Sequence, residues 1–241
     1  NADPTGSIAN GNNFYVWDGY WENVAKDQLA NYSTVYLFFQ WLRLHASNGT
    51  GIYKDILSST FRDYRAVTTA AASRINSTLG SWSTLLSTWY QANILQESTG
   101  LQGYKDEFAI STGYFNATNG ATYPLASGEG VFVAPASPPF SKPAGVGFSI
   151  SYYGITVSDG TVDTTSPYAG ELILTLNTNT VISGTEQTAI LPQFIPAFSI
   201  LKNSAMSTPS LPTSYSLTPP MKIGGGTIQG GRFHDLSKDE N

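Results

Sequence analysis

The hydrophobic periodicity of this 241-residue chain changes near its middle. Up to about residue 107 the apolar residues recur at intervals of three and four, which is typical of amphipathic helices. From about Phe108 they recur at intervals of two, which is typical of half-buried strands. We therefore predict an α+β fold with two domains: a helical subdomain over residues 1–107, and an antiparallel β sandwich or barrel over residues 108–241 that ends in an irregular Pro/Gly-rich tail.

The helix predicted over Tyr32–Ala46 has two apolar faces and only a narrow polar strip. One apolar stripe contains Val35, Phe38, Phe39 and Leu42, and the other contains Leu37, Trp41 and Leu44. A helix that is apolar over most of its circumference must be covered on two sides. We therefore predict that this helix is central and that Trp41 is fully buried. Unless residues 1–25, with Tyr15, Trp17, Tyr20 and Trp21, fold back over it, part of its apolar surface is expected to form an open groove left by a missing neighbour, or to be hidden by self-association.

Three more helices are predicted in the same half of the chain. The first covers Ile52–Ser58, and the second follows Asp63, a residue type that caps helix N-termini. Ser81 is expected to cap the third. The apolar side chains of that helix fall on one face and are Trp82, Leu85, Leu86, Trp89 and Tyr90.

Alternation of apolar and small polar residues predicts two half-buried strands in the second half. They contain Val146, Phe148, Ile150 and Tyr152, and Leu172, Leu174 and Leu176. The pair Asp159-Gly160 between them predicts a hairpin turn. Shorter strand candidates are Val131–Val133, Thr180–Ser183, Ala197–Leu201 and an edge strand around Met221–Ile223.

Composition excludes several classes of partner and chemistry. Charged residues make up only 12% of the chain, the net charge is -5, and no basic cluster is present that could neutralise a run of phosphates, so nucleic acid is not expected as a partner. No apolar run approaches the length of a membrane span. The lack of cysteine excludes disulfides, thiolate ligands and a cysteine nucleophile. The Gly, Ser, Thr and Asn content favours a secreted, cell-surface or periplasmic bacterial protein.

The histidines do not form a zinc site of the protease type. Such a site needs about three protein ligands, usually including two histidines four residues apart on one helix, and this chain has only His45 and His234. His45 ends the central helix, where the helix dipole favours a partly positive imidazole. His234 is expected at the surface. A Gly-x-Ser-x-Gly elbow is also absent, so we predict no catalytic, cofactor-binding or metal-binding residue in this chain.

Paired carboxylates remain a source of catalytic chemistry that spacing alone does not test, because they meet in space. The candidates are Glu97, Asp106, Glu107, Asp159, Asp163 and Glu171. Solvated loop carboxylates are the favoured interpretation. Asp159 and Asp163 fall short of the oxygen cage that calcium requires.

The segment Tyr32–Leu42, the following Gly51–Leu57 and a later helix of the type Trp82–Ala92 resemble, in order and spacing, a region of hyicolysin-like zinc metallopeptidases. The resemblance covers about residues 14–95. In that family the region lies downstream of the His-Glu-x-x-His helix and of the glutamate that supplies the third zinc ligand. Nothing in residues 1–31 replaces them, so no catalytic residue is carried over.

The resemblance implies that this chain is the non-catalytic C-terminal part of an exported zinc metallopeptidase, which braces the catalytic cleft and presents a β domain for attachment or substrate presentation. Zinc is then expected in the parent protein, and the implied partners are the missing N-terminal catalytic subdomain or a second copy, together with the parent's protein substrate. We expect a fragment of a longer precursor rather than a natural module.

Two alternatives from other classes stay open at this point. One is a non-enzymatic extracellular adhesin or carbohydrate/protein-binding module, which the crowded aromatics Tyr15, Trp17, Tyr20 and Trp21 would suit if they stack on a ligand. The other is a carboxylate-dependent glycosidase. Packing within the chain is the favoured interpretation of these aromatics.

Overall fold

The computed structural model describes residues 25–108, 110, 122–180, 187–190, 222–223 and 226–227. The chain divides into two compact units, residues 1–202 and 203–241. The described residues contain helices first and antiparallel strands afterwards, so the predicted α+β class is confirmed. The choice between sandwich and barrel, and the division into domains at residue 107, stay predictions.

The helices lie close to their predicted positions. Helix α1 covers Ala25–His45 and therefore starts before the predicted Tyr32. Helices α2, α3 and α4 cover Gly51–Leu57, Tyr64–Arg74 and Trp82–Leu95, and a 3-10 helix covers Ser77–Gly80.

Two of the helix starts were predicted from capping residues. The Asp63 carboxylate accepts a hydrogen bond from the Arg65 backbone N–H, so the predicted cap of α3 is confirmed. Ser81 occupies the N-cap position of α4, but its side chain makes no capping bond there and its hydroxyl instead pairs with that of Ser83 at 2.9 Å. The predicted N-cap position of Ser81 is therefore confirmed, but the predicted capping hydrogen bond is absent.

The first unit contains two antiparallel sheets among the described residues. In the larger one the strand order is β2-β5-β3-β4, and these strands cover Gly130–Val133 (β2), Ile150–Thr156 (β3), Thr161–Asp163 (β4) and Leu172–Asn177 (β5). The smaller one pairs β1, Thr122–Leu125, with β6, Gln187–Ile190. In the second unit β7, Lys222–Ile223, pairs with β8, Gly226–Thr227, which places a strand where the edge strand was predicted.

Strand β5 is buried along its whole length, whereas the alternating pattern predicts a half-buried strand. Leu172, Leu174 and Leu176 belong to a core cluster shared with the helices. Ile173 packs in a second cluster on the opposite face, with Leu125 of β1. The prediction is wrong because both faces of this central strand are covered. The Thr175 hydroxyl is buried and has no hydrogen-bond partner within the described residues.

The strand predicted from Val146 begins only at Ile150. The Ile150 N–H donates to the Gly147 carbonyl at 3.1 Å, which forms a turn, and Phe148 is 87% exposed. The half-buried position predicted for Phe148 is therefore wrong: the alternation continues into a turn that has no pairing strand.

The hairpin turn predicted at Asp159-Gly160 is confirmed between β3 and β4. Gly160 has a φ of +76°, and the Asp159 carboxylate accepts the Thr161 N–H at 2.9 Å. The candidate strand Ala197–Leu201 and most of the candidate Thr180–Ser183 lie outside the described residues.

The central position of α1 is confirmed, and the chain itself covers most of both apolar stripes. Leu37, Phe38, Trp41 and Leu42 are buried, with Trp41 fully so, while Val35 and Phe39 are half-buried. The Phe38 ring packs edge to face with that of Trp89 on α4, at 5.3 Å between centroids. Among the side chains of α1 that the structure describes, Tyr32 and Tyr36 are the exposed large hydrophobic ones, and the predicted open groove is not found there.

Candidate functional site

The segment that follows α4, residues 96–107, lies against the C-terminal half of α1, and we call it the clasp. It begins at Gln96, whose left-handed conformation, with φ of 47°, ends α4. The sequence contains no periodic pattern here, and the clasp was not predicted.

Trp41 and His45 hold the clasp through its backbone. The Trp41 indole Nε1–H donates to the Leu101 carbonyl at 2.8 Å, and the His45 Nε2 lies 2.9 Å from the Gly103 carbonyl oxygen. The two rings are one helical turn apart and their centroids are separated by 5.3 Å. Two successive turns of α1 therefore present side-chain groups to two clasp carbonyls.

Burial is the largest influence on the pKa of His45. Desolvation lowers its pKa, and this effect outweighs the opposing hydrogen bond to Gly103, with Lys105 adding a further lowering. The expected location at the end of the helix is confirmed. Burial opposes the partly positive ring that the helix dipole alone would favour, because desolvation disfavours the charged imidazole.

Charged side chains close the clasp at its far end. The Lys105 ammonium donates to the Leu44 carbonyl at 2.8 Å, which supplies a partner to one of the last carbonyls of α1. The Arg43 guanidinium forms an ion pair with Glu107. Both contacts are exposed, so they orient the clasp more than they stabilise it.

A buried polar network fastens the clasp to α4. The Trp89 indole donates to the Tyr104 hydroxyl at 3.1 Å, and that hydroxyl donates to the Asn93 side-chain oxygen at 3.0 Å. Burial raises the pKa of Tyr104, so the phenol stays protonated. The network can position the clasp, but it has no group poised to exchange a proton near neutral pH.

The backbone of the clasp packs against itself at Gly103, next to the backbone of Glu97. A Cβ placed there would lie 1.9 Å from the Glu97 carbonyl oxygen, well inside any tolerable contact. The Glu97 N–H also donates to the Gln102 carbonyl at 2.9 Å. The segment folds back on itself at a point where only glycine fits.

Three of the six candidate carboxylates, Asp159, Asp163 and Glu171, accept hydrogen bonds from nearby backbone N–H groups. Asp163 accepts the N–H groups of Ala169 and Thr165, at 2.9 and 3.0 Å, and these bonds lower its pKa. The pKa of Asp159 is also lowered, first by the side-chain hydrogen bond from Thr161 and then by the Thr161 backbone N–H. A glycosidase needs one carboxyl group whose pKa is raised, so that it can act as the general acid. The pKa shifts of Asp159 and Asp163 are in the opposite direction, which does not suit that role.

The remaining carboxylates give no further support to a glycosidase. Glu171 accepts the Val157 N–H at 2.9 Å, and Glu107 is engaged by Arg43. Within the described residues, no three His, Asp or Glu side chains come together as metal ligands would. Asp106 and Glu97 both lie in the clasp, and His234 lies outside the described residues.

An aromatic surface on α1 is the other candidate site. Tyr32 and Tyr36 are 57% and 50% exposed, and the Tyr36 ring contacts Phe108 edge to face at 6.3 Å. Because they are one turn apart, both tyrosines lie on the same side of the helix. We call Tyr32, Tyr36 and Phe108 the tyrosine face. The sequence could have indicated it, since tyrosine combines an apolar ring with a hydroxyl that tolerates water.

None of the helices in the described residues combines the length and the hydropathy that crossing a bilayer requires.

Comparison with known proteins supports the metallopeptidase resemblance over part of the chain. No protein-family model matches it. Over 98 residues it is 32% identical to the neutral metalloprotease ShpI of Staphylococcus hyicus. The matched region is 41% of this chain and 21% of the relative, so it spans about a fifth of that protease. The chain is thus an α+β protein with a metallopeptidase-related region.

Proposed function

We propose that this chain is the non-catalytic C-terminal part of a secreted zinc metallopeptidase, and that it braces the part that cleaves protein. The similarity to a neutral metalloprotease carries this proposal. The chain's histidine count supports the non-catalytic role, because two histidines do not supply the paired ligands of a zinc-protease helix. Zinc is then held by the parent's catalytic part.

The arrangement of α1, α4 and the clasp supports a bracing role. Helix α1 is held against α4 by the contact between the Phe38 and Trp89 rings. Its C-terminal half is held to the clasp by the hydrogen bonds of Trp41 and His45. An anchored helix presents the tyrosine face as a rigid surface, and a rigid surface holds a neighbour with little ordering cost. We assign that face to the contact with the catalytic part.

The test uses the full-length product of the gene that encodes this chain. We expect bound zinc and casein hydrolysis in that protein, and neither in the 241-residue chain alone. A reading frame without a His-Glu-x-x-His motif, or a purified product without zinc, contradicts the proposal.

The bracing role has its own test in the same full-length protein. Replacing Tyr32 and Tyr36 with Ser removes aromatic contact area from an exposed surface, so we expect lower thermal stability of casein hydrolysis with unchanged zinc content. Phe148→Ser is the matched control, because Phe148 is exposed and lies far from α1 in sequence. Equal inactivation temperatures for both variants contradict the bracing role.

A second candidate is an extracellular adhesin or carbohydrate/protein-binding module. It is supported by the burial of most of both α1 stripes within the chain and by exposed aromatic rings of a kind that stack on sugars. Binding of the isolated chain to a glycan array, abolished by changing Tyr32 and Tyr36 to Ser, would place this function first.

A further inference from the structure

The corner between α2 and α3 exposes two apolar side chains in a short stretch. Leu57 is 81% exposed and Phe61 is 37% exposed. Among the described residues only five large hydrophobic side chains are classed as exposed, and these two are separated by three small polar residues. We call residues 54–65 the α2–α3 corner.

Positive charge accumulates at the same place. Between residues 51 and 81 the chain has four Lys or Arg residues against two Asp, although its net charge is -5. Lys54, Arg62 and Arg65 lie within the corner and are exposed. The Arg65 guanidinium stacks over the Phe61 ring, 4.5 Å from its centroid, and also binds Asp63. One cationic group therefore covers the Phe61 ring, and Arg62 donates to the Phe61 backbone carbonyl at 3.3 Å. Asp63 pairs with Arg65 and Asp55 pairs with Arg74, so Lys54 and Arg62 are the cations of the corner that form no ion pair within the described residues.

We propose that the α2–α3 corner docks peripherally on an anionic lipid bilayer. Leu57 and Phe61 enter the boundary between headgroups and acyl chains, while Lys54 and Arg62 remain among the anionic headgroups. The local charge is complementary to such a surface, and the rest of the chain, being acidic, is repelled from it. This inference does not depend on the proposed function.

A bilayer fits the corner better than an acidic protein does. A stable protein interface buries about 800 Å² on each partner around a central apolar patch, which is more than two separated side chains supply. A bilayer has no such threshold, because single apolar side chains and nearby cations contribute to binding one by one.

The test is cosedimentation of the 241-residue chain with vesicles. Binding is expected to vesicles of equal phosphatidylcholine and phosphatidylglycerol, to weaken as salt is added, and to be absent with phosphatidylcholine alone. Arg62→Gln is expected to lower the partition coefficient about fivefold, since each Lys or Arg near an anionic surface contributes similarly. Changing Leu57 and Phe61 together to Ser is expected to reduce binding to background.

Two control variants distinguish binding through the α2–α3 corner from nonspecific membrane binding. Phe148→Ser removes a ring elsewhere that is 87% exposed, more than Phe61, and Lys142→Gln removes an exposed cation elsewhere. Both variants are expected to bind like the original chain. Circular dichroism confirms that every variant is folded. Soluble poly-L-glutamate is the competing probe, and binding to it without binding to vesicles would overturn the lipid proposal in favour of an acidic protein. Equal binding to both vesicle types, or no effect of the corner variants, would also overturn it.

Discussion

The indole of Trp41 donates a hydrogen bond to the carbonyl oxygen of Leu101, 60 residues further along the chain, over 2.8 Å. The ring is fully buried, so this bond and the packing around it join α1 to the clasp inside the core. Loss of the ring would remove both at once.

Trp41→Ala is expected to lower the free energy of unfolding by about 3–5 kcal/mol, as truncation of a buried large aromatic does. Chemical denaturation measures the change. Tyr36→Ala is the control on the exposed face of the same helix, where a loss below about 1 kcal/mol is expected. If the two variants cost the same, Trp41 is not the anchor described here.

Gly103→Ala is expected to loosen the clasp, because the added methyl group meets the Glu97 carbonyl at 1.9 Å and the backbone must move. Overpacking of this kind typically costs about 1–3 kcal/mol. Gly80→Ala is the matched control, since its methyl group would contact the Ala72 side chain at an ordinary 3.5 Å. Thermal melts that rank Gly80→Ala as equally destabilising would contradict the geometry.

Thr175→Val is expected to stabilise the protein by about 1 kcal/mol, because it replaces a buried hydroxyl that lacks a partner in the described residues with a methyl group of the same shape. Thr175→Ser keeps the hydroxyl and removes a methyl group from the core, so it is expected to destabilise. Denaturant midpoints compare the pair. A destabilising valine would mean that the hydroxyl is hydrogen-bonded in solution.

The stability of the protein is expected to fall as the pH drops through the ordinary pKa of histidine. The pKa of His45 is lowered in the folded state, so between that value and the unfolded value of 6.5 the unfolded chain binds more protons and is favoured. The loss starts near the unfolded value and levels off below the folded one.

Denaturant titrations between about pH 7.5 and about pH 5.5 test this dependence, because carboxylates titrate mainly below that range. His45→Gln is the control, since its side chain stays neutral throughout. Its free energy of unfolding should change less over the range than that of the original chain. Identical pH profiles would show that His45 is not the responsible group.

The 241-residue chain alone is expected to bind no stoichiometric zinc and to cleave no protein, because catalytic zinc sites use about three protein ligands and the sequence offers two histidines far apart. Metal analysis after dialysis and casein hydrolysis measure both. About one equivalent of zinc, lost in His45→Ala, would contradict the expectation and the non-catalytic role with it.

Local signals located the four α-helices but not every helix start or capping bond. Asp63 and Ser81 mark the starts of α3 and α4, and the apolar face predicted for α4 is buried. Ser87, Gln91 and Asn93 are buried as well, so α4 is covered on more than the one predicted face. Such signals act over a few residues, so the helix pattern could be read without knowing what packs against it.

Strands depended on neighbours that the sequence does not display. Phe148 continues the alternating pattern of β3, but it lies in a turn and is exposed. The alternating leucines of β5 predict one buried face, yet Ile173 on the other face is also buried, in a cluster that includes Leu125 of β1. Period-two patterns state which residues share a face, while pairing and covering layers decide whether that face is buried.

The candidate site was the least predictable part. Contacts such as Trp41 with Leu101 and His45 with Gly103 join residues about 60 positions apart, and no spacing rule reaches that far. The expected charge on His45 came from the helix dipole alone, whereas burial, which the sequence does not display, acts on the pKa in the opposite direction.

The leucines of strand β5 belong to the core cluster that includes helix residues. Ile173 of the same strand belongs to the second cluster, which includes Leu125 of β1. Separating β5 from its neighbours would therefore hydrate both clusters in a single event. Local opening of β5 should cost nearly as much free energy as complete unfolding. Its amides are expected to be among the slowest in the chain to exchange with deuterium, and α4 amides should exchange at nearly the same rate.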